Sequence, residues 1–301
     1  MRTAVVFPGQ GTQRPGMALS WRDHPAWAVV DRAEALVGEP LGDLVTTADA
    51  EVLARTREAQ LAILLTSLVA WEAVRELVPE PVAFAGHSLG QVTALIAAGV
   101  LDLGTGIEFA ATRATATQAA ADAHPGRMAA LLGADLEQAE AACAAVDGCW
   151  VANDNAPGQV VIAGTPDGLE AGSEAARGLG VRRVTALNVG GAFHTPLMDD
   201  AVATLDDYLD GVEFVAGRAP IVANDDATPI VDGAEWRRRC APHVARRVRW
   251  RQVQGTLVDL GARTFVEVGA GSMLAALAKR TVPDVGVVNV AEPGDLEALG
   301  A

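Results

Sequence analysis

Ser88 lies in the run Gly86-His87-Ser88-Leu89-Gly90, a G-x-S-x-G pentapeptide between the apolar stretch Pro81 to Ala85 and the helix-like stretch Gln91 to Ala98. A strand that enters a helix through two glycines makes a tight, strained turn. Such a turn lifts a serine hydroxyl clear of the main chain and points it at the positive end of the helix. A serine so placed can attack an electrophilic carbonyl. The alternative is an ordinary Gly-bounded turn with no chemistry, and the flanking strand and helix decide between the two.

The elements that would carry this turn follow from hydrophobic periodicity. Strands are predicted near residues 3–7, 82–85, 264–268 and 285–290, alternating with helices, which is the pattern of an α/β domain. After Gly126 the rhythm changes. Met128 to Leu132 reads as a strand, Ala134 to Val146 as a helix, and Trp150 to Asn153 and Val160 to Ala163 as strands. Pro166 to Leu179 then reads as a helix and Val181 to Val189 as a strand. The β-α-β-β-α-β order is that of a ferredoxin-like unit. The expected division is therefore a large domain of residues 1–126 plus 192–301 and an inserted small domain of residues 127–191, with a hinge over Ala119 to Gly126.

Composition narrows the chemistry. Half of the 301 residues are hydrophobic and 20% are charged, as in globular proteins. The net charge of −15 argues against a nucleic-acid partner, which requires a cationic surface. The apolar residues after Met1 end at Pro8-Gly9, too few for a signal peptide or membrane span, so a cytoplasmic location without a membrane partner is expected. Cys143, Cys149 and Cys240 show no metal-ligand spacing, which supports neither a disulfide framework nor a zinc site. Lys279 is the only lysine, at the end of an apolar helical pattern, and Schiff-base chemistry would rest on it alone.

Further segments join the serine in a set. Phe7-Pro8-Gly9-Gln10-Gly11 follows the first strand, and Arg113 lies 25 residues after Ser88. Asn153-Asp154-Asn155 to Gln159 falls in the small domain, Phe193-His194-Thr195-Pro196-Leu197-Met198 follows it, and Val268-Gly269-Ala270-Gly271 opens a late helix. From residue 3 to about 290 this order resembles the malonyl-CoA:acyl carrier protein transacylase family, which includes the acyltransferases of polyketide synthases.

The resemblance implies an α/β-hydrolase-like large domain with an inserted ferredoxin-like small domain. It also implies malonyl transfer from coenzyme A to the phosphopantetheine thiol of an acyl carrier protein, for fatty acid or polyketide synthesis, with no cofactor beyond the coenzyme A thioester. Ser88 would be the nucleophile of a ping-pong reaction and His194 its base, with Gln10 and Leu89 giving oxyanion N–H groups. Arg113 would form a bidentate pair with the malonyl carboxylate, a use that suits its planar fork. Phe193 would narrow the pocket against an α-methyl group, and Asn153, Asn155 and His87 would complete the substrate wall, although the His87 ring is expected to turn away from the serine.

Some residues depart from the family's usual choices. Gln91 stands for glutamate, Arg249 for glutamine in the segment whose main chain would hold the histidine, and Ala270 for proline in G-P-G; Gly191 departs as well. The resemblance leaves open transfer of a substituted malonyl group. An acyl-thioester hydrolase, or a carrier-docking module without activity, would also fit parts of the pattern. Arginines 237–239, 246, 247, 249 and 251, with Arg182 and Arg183, are either a docking patch for an acidic carrier protein or simply a solvated face.

Overall fold

The computed structural model describes residues 2–300. β1 (Thr3–Phe7) is a run of five buried residues, the pattern of a strand covered on both faces. Val5 and Phe7 pack into one core cluster and Ala4 and Val6 into another, so the strand divides the two. α1 (Ala28–Val37), α2 (Leu41–Thr46) and α3 (Thr56–Val74) follow. Nearly every residue of α3 is buried, which makes it a core helix rather than an amphipathic surface one. Its Trp71 meets Phe7 and Phe84 edge to face, at centroid distances of 6.1 and 5.6 Å.

β2 (Ala83–Gly86) runs into α4 (Gly90–Ala97), and α5 (Leu103–Ala123) packs against α3 and α4. The expected hinge from Ala119 is mostly the last turn of α5, which reaches Ala123. Alanine favours helix, and the helix stops only ahead of Pro125, which biases His124 away from the helical region.

Next come β3 (Arg127–Leu132), α6 (Leu136–Ala144), β4 (Cys149–Ala156), β5 (Gln159–Gly164), α7 (Pro166–Gly178) and β6 (Arg183–Ala186). They form a four-stranded antiparallel sheet in the order β4-β5-β3-β6, the ferredoxin-like arrangement. The larger departures from the sequence reading are at α6, β4 and β6. α6 starts at Leu136, since Asp135 and Gln138 form a capping box ahead of it. β4 is longer because two register irregularities carry it on to Ala156. β6 is confined to the four residues that pair with β3.

The chain returns to the larger sheet through α8 (Asp199–Leu209), β7 (Ile221–Val222), β8 (Pro229–Ile230), α9 (Gly233–Cys240), α10 (Trp250–Asp259), β9 (Thr264–Val268), α11 (Met273–Thr281) and β10 (Gly286–Val290). Strand order is β10-β9-β1-β2-β7-β8, parallel except for the β7–β8 pair. The two-residue strands β7 and β8 were not anticipated. No helix among the described residues is long and apolar enough to cross a membrane.

The small sheet joins the rest of the chain along a seam between β4 and the segment that leads into α10. Val248 donates to Ala152 O at 2.9 Å, and Asp154 N donates to Val248 O at 2.8 Å. Arg247 pairs with Glu140 at 2.6 Å and Arg251 with the buried Asp154 at 3.1 Å. This seam brings the Asn153–Asn155 wall to the mouth of the serine turn.

Candidate active site

The turn between β2 and α4 explains its own sequence. A Cβ on Gly86 would stand 1.9 Å from the Gly90 carbonyl, and one on Gly90 would stand 2.2 Å from Phe7 O, so both positions must be glycine. Ser88 between them has φ +52°, a left-handed conformation that a non-glycine residue holds at a cost of about 1–3 kcal/mol. His87 N donates to Phe7 O and Gly90 N to His87 O, both at 3.0 Å, and Ser88 N donates to Asn224 Oδ1 at 2.8 Å.

His194, also left-handed at φ +63°, places Nε2 2.7 Å from Ser88 Oγ. Its Nδ1 lies 3.0 Å from Arg246 O and 3.2 Å from His243 O. A carbonyl only accepts, so Nδ1 carries the hydrogen and Nε2 is the acceptor for the serine hydroxyl. The main chain holds the ring, through the carbonyls of Arg246 and His243, near the segment that contains Arg249. Arg249 instead gives its N–H to Asn224 O at 2.7 Å, so the Gln-to-Arg departure leaves the His194 contact untouched.

Burial, aided by the neighbouring Arg113 charge and His87, lowers His194 to about 3. The imidazole must be neutral to take a proton, and with a lowered pKa that form persists as pH falls. The expected kcat/KM profile for a thioester substrate stays level from about pH 8 down to about pH 5, because it reports ionisations of the free enzyme. An inflection near the ordinary histidine value of 6.5 would show that the ring titrates as if solvated.

Arg113 is 5% exposed. It donates to Gln60 Oε1 and, through Nη2, to Ser88 Oγ at 3.2 Å, while its Nε has no partner. Burial lowers it to about 10, so it remains charged near neutrality. Gln60 is itself fixed by Thr117 Oγ1 at 3.1 Å. Among the described residues no carboxylate pairs with Arg113, and a buried cation without a counter-charge can attract an anion strongly.

Ser88, His194, Arg113, Gln10, His87, Asn153, Asn155 and Phe193 all line one cavity of about 470 Å³, together with Gln60, Met128 and Met273. His87 is among the residues on the cavity wall; its ring bonds Asn155 Oδ1 through Nε2 at 2.8 Å and packs edgewise on Trp250 at 5.4 Å, and burial lowers its pKa. Leu89 buries its side chain in the core, so only its main chain can face the cavity. Among the described residues, neither Gln10 N nor Leu89 N finds an acceptor, which leaves both free for an oxyanion.

The sequence reading missed Gln60, Asn224, His243 and the Arg246 carbonyl. An asparagine after an apolar run, Ile221-Val222-Ala223-Asn224, was the only available signal for this group. Gln91 accepts from Asn224 N at 3.0 Å as a neutral acceptor. A Cβ on Gly191 would approach Ala121 Cβ to 2.7 Å, which explains the small residue there, and Ala270 is fully buried.

Most of the arginine-rich segment proves to be paired. Arg237 binds Asp206 and Asp210, Arg238 binds Glu235, and Arg239 binds Glu235, Asp225 and Asp226. Arg246 binds Asp225 and Arg247 binds Glu140. These pairs hold the segment that carries the His194 acceptors rather than forming an open cationic patch. Lys279 is exposed at the end of α11, away from any Schiff-base environment.

Residues 4–295 match the model of the acyl transferase domain family. The chain belongs to that family. This acyltransferase is 34% identical to the malonyl CoA-acyl carrier protein transacylase of Synechocystis sp., with 99% of this chain and 100% of that one aligned. It is 33% identical to the transacylase of the same name from Bacillus subtilis, over 98% and 95% of the two chains. Among solved structures, the acyl-carrier-protein S-malonyltransferase of Burkholderia pseudomallei superposes with a TM-score of 0.95 at 34% identity, covering 100% of each chain. A malonyl-transacylase in complex with a type II polyketide synthase acyl-carrier protein superposes equally well, at 30% identity over 99% of each chain.

Proposed function

We propose that the protein transfers a malonyl group from malonyl-CoA to the phosphopantetheine thiol of an acyl carrier protein, in the cytoplasm, by way of a malonyl-Ser88 intermediate. The observation that carries this reading is the buried, uncompensated Arg113 within hydrogen-bond distance of the same Ser88 Oγ that His194 Nε2 engages. In this reading Ser88 Oγ attacks the thioester carbonyl while its proton passes to His194, and the thiolate leaves with that proton. The carrier thiol then repeats the steps in reverse, so two half-reactions share one site. Gln10 N and Leu89 N would hold the oxyanion, and the Arg113 fork would hold the malonyl carboxylate.

Phe193 on the cavity wall supports malonyl over methylmalonyl, a discrimination of about 1–3 kcal/mol for one methyl group. Arg280, at the end of α11, donates to Gln159 Oε1 at 2.8 Å, beside the cavity rim, and to Pro157 O. It is the cation we assign to the phosphates of the incoming coenzyme A or phosphopantetheine arm. The chemistry needs no metal or redox cofactor. The division into residues 1–126 plus 192–301 and 127–191 belongs to the same reading, with the cavity between the two parts.

The test compares two donors. Arg113→Ala removes the carboxylate partner, and breaking a buried ion pair costs about 3–5 kcal/mol, so malonyl transfer should fall by about 10²–10⁴-fold. Acetyl transfer, poor in the parent, should hold steady or rise, and Arg113→Lys should recover malonyl transfer only in part, because a point charge lacks the fork. An equal fall for both donors would mean that Arg113 supports the fold rather than the acyl group.

A further inference from the structure

Asn224 is fully buried, and each of its four polar groups has a partner. Its side-chain oxygen faces Ser88 N at 2.8 Å and its side-chain nitrogen faces Gly86 O at 2.8 Å. A main-chain N–H only donates and a carbonyl only accepts, so the amide orientation is fixed by these neighbours. The same oxygen lies 3.2 Å from His243 Nε2, which must therefore carry the hydrogen. Burial keeps His243 neutral, consistent with that single tautomer. The main chain of Asn224 receives Arg249 N at its oxygen and donates its N–H to Gln91 Oε1.

These contacts join the two halves of the reacting pair. On one side Asn224 bridges Gly86 and Ser88, across the turn whose left-handed serine needs external restraint. On the other it binds His243 and Arg249, which flank the carbonyls of His243 and Arg246 that orient His194. By taking the Ser88 N–H it also removes that donor from the cavity. We propose that Asn224 is a positioning residue that holds Ser88 Oγ and His194 Nε2 in register. The inference rests on the acyl-serine reading above.

The replacements differ in what they retain. Asn224→Asp keeps the acceptor for Ser88 N and His243 but sets a carboxylate oxygen against Gly86 O. Asn224→Ala loses all three side-chain bonds. Small misplacements of a reacting pair cost up to about 10²-fold, so kcat with malonyl-CoA and a carrier protein should fall by about 10-fold for the aspartate variant and about 10²-fold for the alanine variant. KM for malonyl-CoA should stay within about threefold of the parent, because Arg113 and the cavity wall are untouched.

The deciding readout is the inactivation rate with phenylmethylsulfonyl fluoride. There Ser88 Oγ attacks sulfur, fluoride leaves and His194 takes the proton, with no malonyl donor or carrier present. That rate should fall in the same order as kcat, with both variants folded by circular dichroism. A folded Asn224→Ala protein that is sulfonylated at the parental rate overturns the proposal. If only the aspartate variant folds, a parental rate in that protein overturns it equally. Should the parent react with the sulfonyl fluoride but never accept malonyl from coenzyme A, the substrate reading fails while the positioning role is still measured.

Discussion

The Ser88→Ala protein, mixed with malonyl-CoA, stays at its unmodified mass, whereas the parent gains one malonyl group on the peptide that carries Ser88. Turnover falls by more than about 10⁴-fold, as in serine enzymes that lose their nucleophile. The geometry allows no substitute. The serine occupies a left-handed position between two glycines that admit no side chain, and no other hydroxyl lies within hydrogen-bond distance of His194 Nε2 among the described residues. The measurement is intact-mass and peptide mass spectrometry after brief mixing. A malonylated alanine variant would place the acyl group elsewhere and remove the basis of the proposed reaction.

His194→Ala comes next in expected effect. Without the acceptor at 2.7 Å, Ser88 Oγ must ionise unaided, and loss of general-base assistance slows transfer by about 10²–10⁴-fold. Both half-reactions should slow, since the same ring receives the serine proton in one and the thiol proton in the other. Stopped-flow acylation and carrier-dependent deacylation, measured separately, check this. If only deacylation slowed, the base of the first step would lie elsewhere.

The sequence disclosed those features of the fold and site that depend on residue type at a fixed spacing. The glycines around Ser88 are required by contacts with neighbouring backbone, so the motif reports the turn directly. Long apolar strands such as Thr3–Phe7 and the alternating elements of the small sheet also declare themselves through periodicity. β7 and β8, at two residues each, are too short to show any period, and the sheet edge was lost with them. Asn224 reaches Gly86, Ser88 and Gln91 across 133 or more residues and Gln60 reaches Arg113 across 53, and nothing in local sequence announces such partners. The arginine run from 237 to 251 looked like a surface signal because its counter-charges at Asp206, Asp210, Asp225, Asp226 and Glu140 are assembled only on folding.

His194 is oriented by two peptide carbonyls, at Arg246 and His243, and not by an acidic side chain. Its third partner is therefore invisible to conventional mutagenesis, since any residue placed at 246 brings the same oxygen. The free N–H groups of Gln10 and Leu89 share this property. An alanine scan across the cavity would register Ser88, His194 and Arg113 and pass over these main-chain groups. The Arg246 side chain enters only through its pair with Asp225, which helps to keep the path of the chain. Exposing these groups takes edits to the backbone, such as an ester in place of the Leu89 amide or a proline that bends the segment before Val248.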